Sequence, residues 1–580
     1  MSDQATTSFM RSLCMGQIEQ DVLFPFPTMS DEQKDMLHEI SSALEGLLGP
    51  RSEQFRQWDV VGDMPMDFID ELKEFGLFGL IIPEEYGGMG LGNMAYSRTL
   101  QEVGRYDASV AVTIGAHSSI GMRGLLLFGT EEQKARYMPK LATGEMIAAF
   151  CLTEPGAGSD AAAIKTTAVR QGDDWILNGN KLWITNGGFA DFFTVFARTG
   201  AEGEHGKMTA FIVTRDMAGV STGPHEDKMG LRASSTTTLL FDDVHVPGEN
   251  VLGEVGLGFK VAMQILNSGR TGLGGGSVGA MKHLIEAATK QANERKTFGQ
   301  PISSYGLIKK KVGQMVVDCY TSEAVVSMVG GLVDGGYKEY AVEAAISKVY
   351  STECLARAAD EALQIAGGNG FMREYPYERI VRDCRINRIF EGTNEILRLF
   401  IALTAMNDVA SQLKELSSSM KGVFSHPIKG FGVLSDYARK RAKLKTGRGE
   451  ESKLQDLDEA IQPQADIFNK KTRNLAQAAD RILRKHGKNI IGKQLATERL
   501  ADIMIDLFVM ACTLSRVQAS IDANGVDKAS QEIEILRVFT REARIRIKRN
   551  FRRIDNNEDE SLKALAIDAF EVERYRWDTI

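Results

Sequence analysis

The sequence lacks the features that define membrane-spanning and exported proteins. Its 580 residues contain no unbroken apolar run near the roughly 18–20 residues that span a bilayer. The first twenty residues hold one arginine together with Asp3 and Glu19, and they contain no apolar h-region. We therefore expect neither a membrane-crossing segment nor a signal peptide or arginine-rich transit peptide.

Paired cysteines and metal-ligand motifs are also missing. The six cysteines form no CxxC pair, and the eight histidines are dispersed, with no HExxH motif. Scattered cysteines in a chain of this length are typical of reduced thiols in a cytosolic compartment. We expect reduced thiols and no metal site.

The net charge of −8 is low for the chain length but unevenly distributed. Residues 411–580 hold 32 basic and 25 acidic side chains, whereas the remainder holds 37 basic and 52 acidic ones. An acidic body of this kind argues against general nucleic-acid binding. The positive excess lies between 414 and 448, where nine Lys or Arg residues accompany only Glu415 and Asp436.

The sequence does contain a clear change of hydrophobic period along the chain. Residues 31–145 have helical spacing, interrupted by a turn at 83–90. From about residue 147 the period becomes two, which predicts strands at Met208–Thr214 and Thr236–Val246 and a hairpin around Asn178-Gly179. Helical spacing returns near residue 258 and continues to the C-terminus.

Such segregated elements indicate an α+β fold that is mainly α, not a doubly wound sheet. A chain of this length is also too long for one core. The predicted domains are an N-terminal helical domain (1–146), a small β domain (147–256), a catalytic helical-bundle domain (257–408) and a C-terminal helical extension (409–580) with a basic loop at about 414–448.

One dinucleotide-binding pattern, Gly274-x-Gly276-x-x-Gly279, is present in the third of these domains. That fingerprint requires a preceding strand, and the preceding segment here is predicted to be helical. We attribute these glycines to close helix packing.

Two segments suit the binding of a flat, anionic cofactor. Phe150–Asp160 contains Gly and Ser residues, whose backbone N–H groups can converge on a pyrophosphate. Trp183–Gly188 offers an indole that can cover a heterocycle and a Thr hydroxyl that can bond a ring nitrogen. Taken alone, Trp183 is more often a core residue.

Two later segments complete the candidate chemistry. Gln364–Phe371 is rich in glycine, and Arg388–Ile396 places Glu391 in a short break between two amphipathic helices. The apolar neighbours Ile389 and Phe390 are expected to raise the pKa of this carboxyl group towards a range that suits a base.

In this order the four segments resemble the acyl-CoA dehydrogenase family. The first and third are similar to its two signature patterns and the fourth to its catalytic loop, within a match from about residue 60 to 405. The Phe-Pro-Phe-Pro start at 24–27 and a C-terminal extension of about 170 residues are closest to its very-long-chain branch. The resemblance implies an FAD enzyme that oxidises long-chain fatty acyl-CoA to trans-2-enoyl-CoA, the first step of fatty acid β-oxidation.

The resemblance also implies cofactor contacts. Thr153 would bond the flavin pyrimidine edge, Trp183 would shield the ring and Thr185 would bond near N5. Arg295, whose guanidinium suits a pyrophosphate, would reach the FAD of a neighbouring subunit, so a homodimer is the smallest competent unit. The implied FAD contacts are Phe150, Cys151, Leu152, Thr153, Gly158, Ser159, Trp183, Ile184, Thr185, Arg295, Phe298, Gln364, Gly367, Gly368, Thr393, Asn394 and Glu395.

In the implied mechanism Glu391 removes the α-proton while flavin N5 takes the β-hydride, and electrons pass to electron-transferring flavoprotein. Donors on the thioester oxygen are needed because the α-proton is weakly acidic; in the family they are the Glu391 N–H and an FAD ribityl hydroxyl. Some branches place the base just before the substrate arginine, where this chain has Gly269 beside Arg270. The implied substrate contacts are Ser159, Asn267, Arg270, Phe390, Gly392 and Gly115.

Three positions differ from other members of the family. Lys309 stands where many members have Gln at the FAD interface, which puts that contact in doubt. Medium-chain members carry Gln and Glu at the floor of the acyl tunnel, where alignment through 111–117 places Ala111 and Gly115. Small residues leave volume for more methylenes, although a tightly packed helix would also need glycine.

The basic segment 414–448 lies where the resembling branch has a membrane-associating segment. Because basic side chains surround an apolar helix face there, we predict peripheral contact with an anionic membrane rather than a solvated linker. That apolar face consists of Val433, Leu434, Tyr437, Ala438 and Leu444. The expected location is a bacterial cytoplasm, peripheral at the inner membrane, or the matrix side of a mitochondrion. Two other functions stay open: an acyl-CoA oxidase, and an assembly factor for a respiratory complex with residual dehydrogenase activity.

Overall fold

The computed structural model describes residues 8–200, 206–422 and 453–579, with side chains only to residue 414 in the second range. It forms two compact units. The first comprises Phe26–Ile396, and the second comprises the part of the chain from Leu397 onward together with the described residues before Phe26.

The helices of the described residues account for most of the chain. In chain order they are α1 (Phe9–Cys14), α2 (Asp31–Leu48), α3 (Ser52–Val61), α4 (Met66–Glu74), α5 (Asn93–Tyr106), α6 (Ala108–Gly115), α7 (Arg123–Phe128), α8 (Glu131–Thr143), α9 (Gly258–Glu294), α10 (Gly306–Asp334), α11 (Ala341–Ala366), α12 (Gly368–Phe371), α13 (Tyr377–Cys384), α14 (Asn394–Ala405), α15 (Asn407–Gly422), α16 (Gln462–His486), α17 (Gln494–Asn524), α18 (Ser530–Asp555) and α19 (Asp559–Val572). The predicted α+β, mainly α fold is confirmed.

Several helix ends follow directly from the local sequence. Ser30 caps α2 in a capping box with Gln33, and Thr130 caps α8 in the same way with Gln133. In each case the hydroxyl accepts from the third backbone N–H of the helix and the Gln side chain accepts from the backbone N–H of the capping residue. Such reciprocal bonds fix where a helix begins.

One mixed sheet lies between the two helical parts of the first unit. Its strands are β1 (Ala148–Cys151), β2 (Thr167–Gln171), β3 (Asp174–Thr185), β4 (Phe192–Thr199), β5 (Lys207–Thr214), β6 (Val220–His225), β7 (Thr236–Val246) and β8 (Val251–Leu252), and a two-stranded hairpin, β9 (Lys296–Thr297) and β10 (Gln300–Pro301), follows α9. The order is β6-β7-β3-β2-β4-β5-β8, with β1 parallel to β4. The predicted strands at 208–214 and 236–246 are confirmed as β5 and β7.

The predicted hairpin around Asn178-Gly179 is wrong. Both residues lie inside the twelve-residue strand β3, and the turn comes earlier, between β2 and β3. Gly179 has φ +146°, and a Cβ at this position would lie 2.5 Å from the Thr166 hydroxyl. The glycine therefore marks a bulge, with a register shift against β7, and allows close approach of a neighbouring segment.

Glycines also explain how α5 packs against α9. A Cβ at Gly279 would lie 1.9 Å from the Gln101 carbonyl oxygen, and one at Gly275 would lie 2.4 Å from that of Ser97. Both glycines fall inside the 37-residue helix α9. The prediction that Gly274-x-Gly276-x-x-Gly279 serves helix packing is confirmed.

The second unit is helical throughout its described residues. Its core includes Phe9 of α1, whose ring centroid lies 6.2 Å from that of Phe508 in α17. Arg11 pairs with Asp408 of α15 at 2.5 Å. The hydrophobic pattern of the first residues gives no signal that they pack with helices four hundred residues later.

Two stretches of the described residues, Ala108–Phe128 and Gly306–Asp334, have the length and mean hydropathy of a membrane span. A bent pair, Asn394–Ala405 with Asn407–Lys414, passes the same test as one unit. In the two single stretches, 67% of the apolar window is buried inside the structure, so these side chains serve core packing.

Candidate active site

Glu391 lies in a tight loop between a 3-10 turn (Arg385–Arg388) and α14. It adopts a left-handed backbone conformation with φ 55°, and Gly392 follows with φ 91°. A left-handed glutamate is strained. This strain is typical of residues whose surroundings fix their position for a function.

Glu391 is half-buried as a residue, but its Oε2 is shielded from solvent and has no hydrogen-bond partner among the described residues. Both carboxyl oxygens lie 3.6 Å from the position that a Cβ of Gly269 would take. That position is 2.8 Å from Cγ2 of Ile120. The carboxylate therefore faces the space above Gly269, and its Oε2, without a hydrogen-bond partner among the described residues, can accept a proton.

Burial raises the pKa of Glu391, and the cations Arg270 and Lys348 partly oppose that rise. The raised pKa agrees with the sequence-based expectation, but the residues that cause it differ in part. Ile389 is 47% exposed, and Phe390 is half-buried. The burial involves residues distant in sequence, such as Gly269 of α9, where the position of a Cβ lies 3.6 Å from both carboxyl oxygens.

Arg270 is buried beside this carboxyl group, and burial lowers its pKa to about 10. Its Nη1 donates to Asn267 Oδ1 at 2.7 Å. Asn267 and Arg270, both expected near the substrate, therefore form one polar group on α9.

Lys348 of α11 was not found from the sequence. Its side chain is fully buried, and its Nζ donates to the Gly392 carbonyl oxygen at 2.9 Å and to Asn394 Oδ1 at 2.8 Å. A lysine in the middle of a helix gives no local signal of such a role, because long basic side chains are usually solvated.

The remaining residues of this loop have structural partners of their own. Thr393 Oγ1 accepts from the Ile396 backbone N–H at 3.3 Å and so caps α14. Asn394 is 1% exposed, and Glu395 points to solvent.

The segment expected at the acyl tunnel runs through α6 into the π-helical turn Ala116–Gly121. Gly115 ends α6, and a Cβ there would meet only Ser119 Oγ, at 3.9 Å. The Ser119 hydroxyl is itself hydrogen-bonded to Tyr96 at 2.6 Å. Gly115 therefore borders open space, and tight helix packing does not explain it.

A buried ion pair fixes the segment that begins at Phe150. Lys181 Nζ lies 2.6 Å from Glu154 Oε1, with side chains 0% and 4% exposed. Glu154 also accepts from the backbone N–H groups of Lys165 and Thr166 and from the Thr166 hydroxyl. Burial opposes ionisation of Glu154, but Lys181 and these donors lower its pKa overall.

A backbone hydrogen bond aligns Thr153 with β3, the strand that carries Trp183. The Leu182 backbone N–H donates to the Thr153 carbonyl oxygen at 2.9 Å. Asn186 Nδ2 donates to the Thr113 carbonyl oxygen at 3.0 Å. Thr153, the strand that carries Trp183 and helix α6 are thus connected by hydrogen bonds.

Trp183 is 63% exposed and has a left-handed φ of 58°, at a register shift between β3 and β7. The indole is therefore not a core residue. Its neighbour Ile184 is buried, whereas Thr185 is half-buried. The Cys151 side chain belongs to the core, and the half-buried Phe150 packs against it, with its ring centroid 5.1 Å from that of Phe196.

The fit to a flat cofactor with an anionic tail can be tested at the glycines. A Cβ at Gly156 or Gly158 would meet nothing within 4 Å, and Gly158 and Ser159 are exposed. Open backbone beside an exposed, positioned indole suits an isoalloxazine ring and its diphosphate. The residues present fit FAD.

The residues expected to reach a second subunit lie on the surface. Phe298 is 97% exposed, with φ 50°, at the tip of the β9–β10 hairpin, and Arg295 precedes it at the end of α9. Gln364, Gly367 and Gly368 are exposed at the junction of α11 and α12. Lys309, which stands where many members of the family have Gln, is exposed near the start of α10.

Comparison with known proteins identifies the family. Three family models, described as the N-terminal, middle and C-terminal domains of acyl-CoA dehydrogenase, match residues 30–145, 149–244 and 256–406. A fourth, described as the C-terminal domain of ACAD9/ACADV, matches 459–575.

Similar proteins cover nearly the whole chain. The mitochondrial very long-chain specific acyl-CoA dehydrogenase of Homo sapiens is 42% identical over 585 residues, which cover 98% of this chain and 86% of the relative. A crystal structure of an acyl-CoA dehydrogenase complexed with FAD from Bacillus anthracis has a TM-score of 0.80 and 36% identity, covering 95% of this chain and 92% of that one. A structure described as the electron-transferring flavoprotein of Acidaminococcus fermentans has a TM-score of 0.62 and 37% identity over 65% of this chain and 98% of that one.

Proposed function

The chain belongs to the acyl-CoA dehydrogenase family and is an FAD-dependent acyl-CoA dehydrogenase; from this premise we propose that it oxidises long-chain fatty acyl-CoA with Glu391 as the base. The observation that carries this assignment is the buried Glu391 carboxyl group, whose Oε2 has no hydrogen-bond partner among the described residues. A shielded carboxylate oxygen without a hydrogen bond is costly, and accepting a substrate proton would give it a function.

Glu391 removes the α-proton of the thioester, and FAD supplies the hydride acceptor for the β-carbon. The α-proton is a weak acid, so donors must stabilise charge on the thioester oxygen. We assign one of them to the backbone N–H of Glu391, which the left-handed loop holds in place. Burial keeps water from the carboxylate and makes it a stronger base than an exposed glutamate.

Thr153, Trp183 and Thr185 hold the flavin ring, and the backbone at Gly158 and Ser159 holds the diphosphate. The tie between Glu154 and Lys181 supports this assignment, because it fixes the segment beside Trp183. Arg295, Phe298 and Gln364 to Gly368 extend the FAD site to the second subunit of a homodimer. An aromatic side chain that is 97% exposed at Phe298 supports an interface there.

The acyl chain runs towards Gly115. The open space at this glycine supports a tunnel that continues past the point where a larger side chain would close it. Ala111, one turn earlier and half-buried, leaves the same side of α6 free of bulk. Long-chain substrates are therefore favoured over medium-chain ones.

Electron-transferring flavoprotein is the proposed acceptor, supported by the similarity to the Acidaminococcus fermentans structure. The basic segment 414–448 is the proposed contact with an anionic membrane, and most of it lies outside the described residues. The relatives come from mitochondria and from bacteria, so either the matrix side of a mitochondrion or a bacterial cytoplasm is a suitable location.

Anaerobic titration of the yellow holoenzyme with palmitoyl-CoA tests this function. The wild type should bleach and then reduce an added electron-transferring flavoprotein, whereas Glu391→Gln should keep its FAD and bleach at less than about a tenth of the wild-type rate, a loss of roughly 1.4 kcal/mol or more of barrier stabilisation. Faster bleaching of the variant would refute Glu391 as the base. Rapid reoxidation by oxygen alone would indicate an oxidase, and absence of bleaching in the wild type would favour an assembly role.

A further inference from the structure

A buried ammonium group lies behind the loop that carries Glu391. The Lys348 side chain is fully buried in α11, and its hydrogen bonds go to two neutral oxygens, the Gly392 carbonyl at 2.9 Å and Asn394 Oδ1 at 2.8 Å. Buried charges in proteins are usually paired with an opposite charge in direct contact. Here the cation is used to hold a loop.

Asn394 completes the connection from α14 back to α11. Its Nδ2 donates to Thr352 Oγ1 at 3.2 Å and to Glu353 Oε1 at 3.1 Å. Lys348 and Thr352 lie on one face of α11, since residues four apart share a helix face, and Asn394 reaches past Thr352 to the next residue, Glu353. Both the carbonyl after Glu391 and the first residue of α14 are thereby fixed to the same helix.

Such fixation matters because the loop is strained. Glu391 has φ 55° and Gly392 has φ 91°. A non-glycine residue holds a left-handed conformation only when its surroundings require it. If the carbonyl of Gly392 lost its donor, the loop would relax and the carboxylate would turn away from Gly269.

The charges around Glu391 come from several elements. Arg270 of α9 and Lys348 of α11 favour the ionised carboxylate, and Tyr96 of α5 also lies within electrostatic range of it. Lys348 in turn interacts with Glu353 and Glu395. Removing Lys348 takes away one of the two cations that oppose the effect of burial.

We propose that Lys348 is a positioning residue for the base: its ammonium group holds the Gly392 carbonyl and Asn394 so that Glu391 keeps its left-handed conformation, and its charge keeps the carboxylate ionised at neutral pH. The inference rests on the proposed role of Glu391. It assigns two separable effects, one geometric and one electrostatic, to a single side chain.

The test compares the holoenzymes of the wild type, Lys348→Met, Asn394→Ala and Ser351→Ala. Methionine keeps the length of the lysine but removes its donors and charge, and Asn394→Ala removes one tie but leaves the cation. Ser351 is buried on the same helix, and its hydroxyl donates to the Ser347 carbonyl oxygen of α11, so its alanine variant is the matched control. Hydrogen–deuterium exchange of the peptide spanning 388–396 reports the loop, and the pH profile of kcat/KM reports the charge.

In Lys348→Met the amide hydrogens of the loop should exchange about tenfold faster or more. The value of kcat/KM at pH 7 should fall at least about tenfold, which corresponds to a shift of about one pH unit in the acid limb of its pH profile. That loss should shrink as the pH rises towards 9, and kcat should fall more than KM rises. Asn394→Ala should speed exchange without moving the acid limb. Ser351→Ala should match the wild type in both measurements.

If the loop of Lys348→Met exchanges at the wild-type rate, the geometric effect is overturned. If the loss of kcat/KM is equal at every pH, the electrostatic effect is overturned. If Lys348→Met yields no holoenzyme, Asn394→Ala decides the geometric effect. Lys348→Arg, which keeps the charge, should then keep the acid limb of the wild-type pH profile of kcat/KM. A shift of that limb would overturn the electrostatic effect. Failure of the wild type to be reduced by acyl-CoA would reject the proposed function itself, whereas the exchange measurements would still decide whether Lys348 holds the loop.

Discussion

Gly115→Glu should convert a long-chain enzyme into one that prefers shorter substrates. Gly115 ends α6, and a Cβ there meets only Ser119 Oγ, at 3.9 Å. A larger side chain therefore fits without moving the backbone, and replacing a helical glycine favours the helix. The folded protein should tolerate the change, so that any loss of activity reports the tunnel.

The magnitude follows from the space that the new side chain fills. A glutamate side chain occupies about the length of four methylenes, each worth about 0.8 kcal/mol when buried, so about 3 kcal/mol of binding is lost for a chain long enough to reach it. That corresponds to roughly 150-fold in kcat/KM for a C16 substrate. A C8 substrate, which ends before this depth, should change by less than about threefold, within the scatter of a surface substitution.

The assay is a matched series of kcat/KM values for C8, C12 and C16 acyl-CoA with a common electron acceptor. Gly115→Ala should retain most activity on C16, and Gly46→Glu, the same change at an exposed position of α2 that also borders open space, should leave all three values unchanged. Equal losses on C8 and C16 in Gly115→Glu would refute a tunnel at this glycine and indicate that the residue serves packing.

Three other outcomes are expected. Because burial raises the pKa of Glu391, kcat/KM should decline with falling pH, and the decline should begin at a higher pH than for an exposed glutamate. A kcat/KM value that does not change down to pH 4 would contradict this. Lys181→Met leaves Glu154 buried without its cation and should cost about 3–5 kcal/mol of stability, seen as a lower Tm and lost FAD; an unchanged Tm would contradict the anchoring role. Deleting 420–448 should abolish sedimentation with anionic liposomes at low salt and leave activity on a soluble medium-chain substrate intact, and a full-length protein that ignores such liposomes would reject the membrane contact.

Local sequence was sufficient for much of the fold because its signals were short-range. The capping boxes at Ser30 and Thr130 and the alternating strands at 208–214 and 236–246 depend on residues within a few positions of one another. Glu391 became a candidate only beside the other segments of the family resemblance, because a glutamate before glycine is by itself ordinarily a solvated turn residue.

Other features depended on contacts that no local pattern encodes. Asn178-Gly179 has the composition of a hairpin turn, yet Thr166 needs the space that a side chain at Gly179 would fill, and β3 runs on. Lys348 lies in the middle of a helix, 43 positions before Glu391, and only the three-dimensional packing reveals that it serves the catalytic loop. The approach of the Glu391 carboxyl group to Gly269 likewise depends on packing between distant segments and not on the neighbours of Glu391 in sequence.

The absence of a side chain at residue 269 and the strained backbone at residue 391 belong to one arrangement. Both carboxyl oxygens of Glu391 lie 3.6 Å from the place of a Gly269 Cβ, so a carboxylate at 269 would compete with Glu391 for the same volume. Two carboxylates this close would oppose each other's ionisation and share a proton, so that the proton acceptor would no longer be assigned to Glu391 alone. A site whose base lies in the loop therefore requires a residue without a side chain at position 269 of α9. The left-handed Glu391 conformation, the bare helix and the cations of Arg270 and Lys348 are mutually dependent, and each alone would leave the proton acceptor misplaced or neutral.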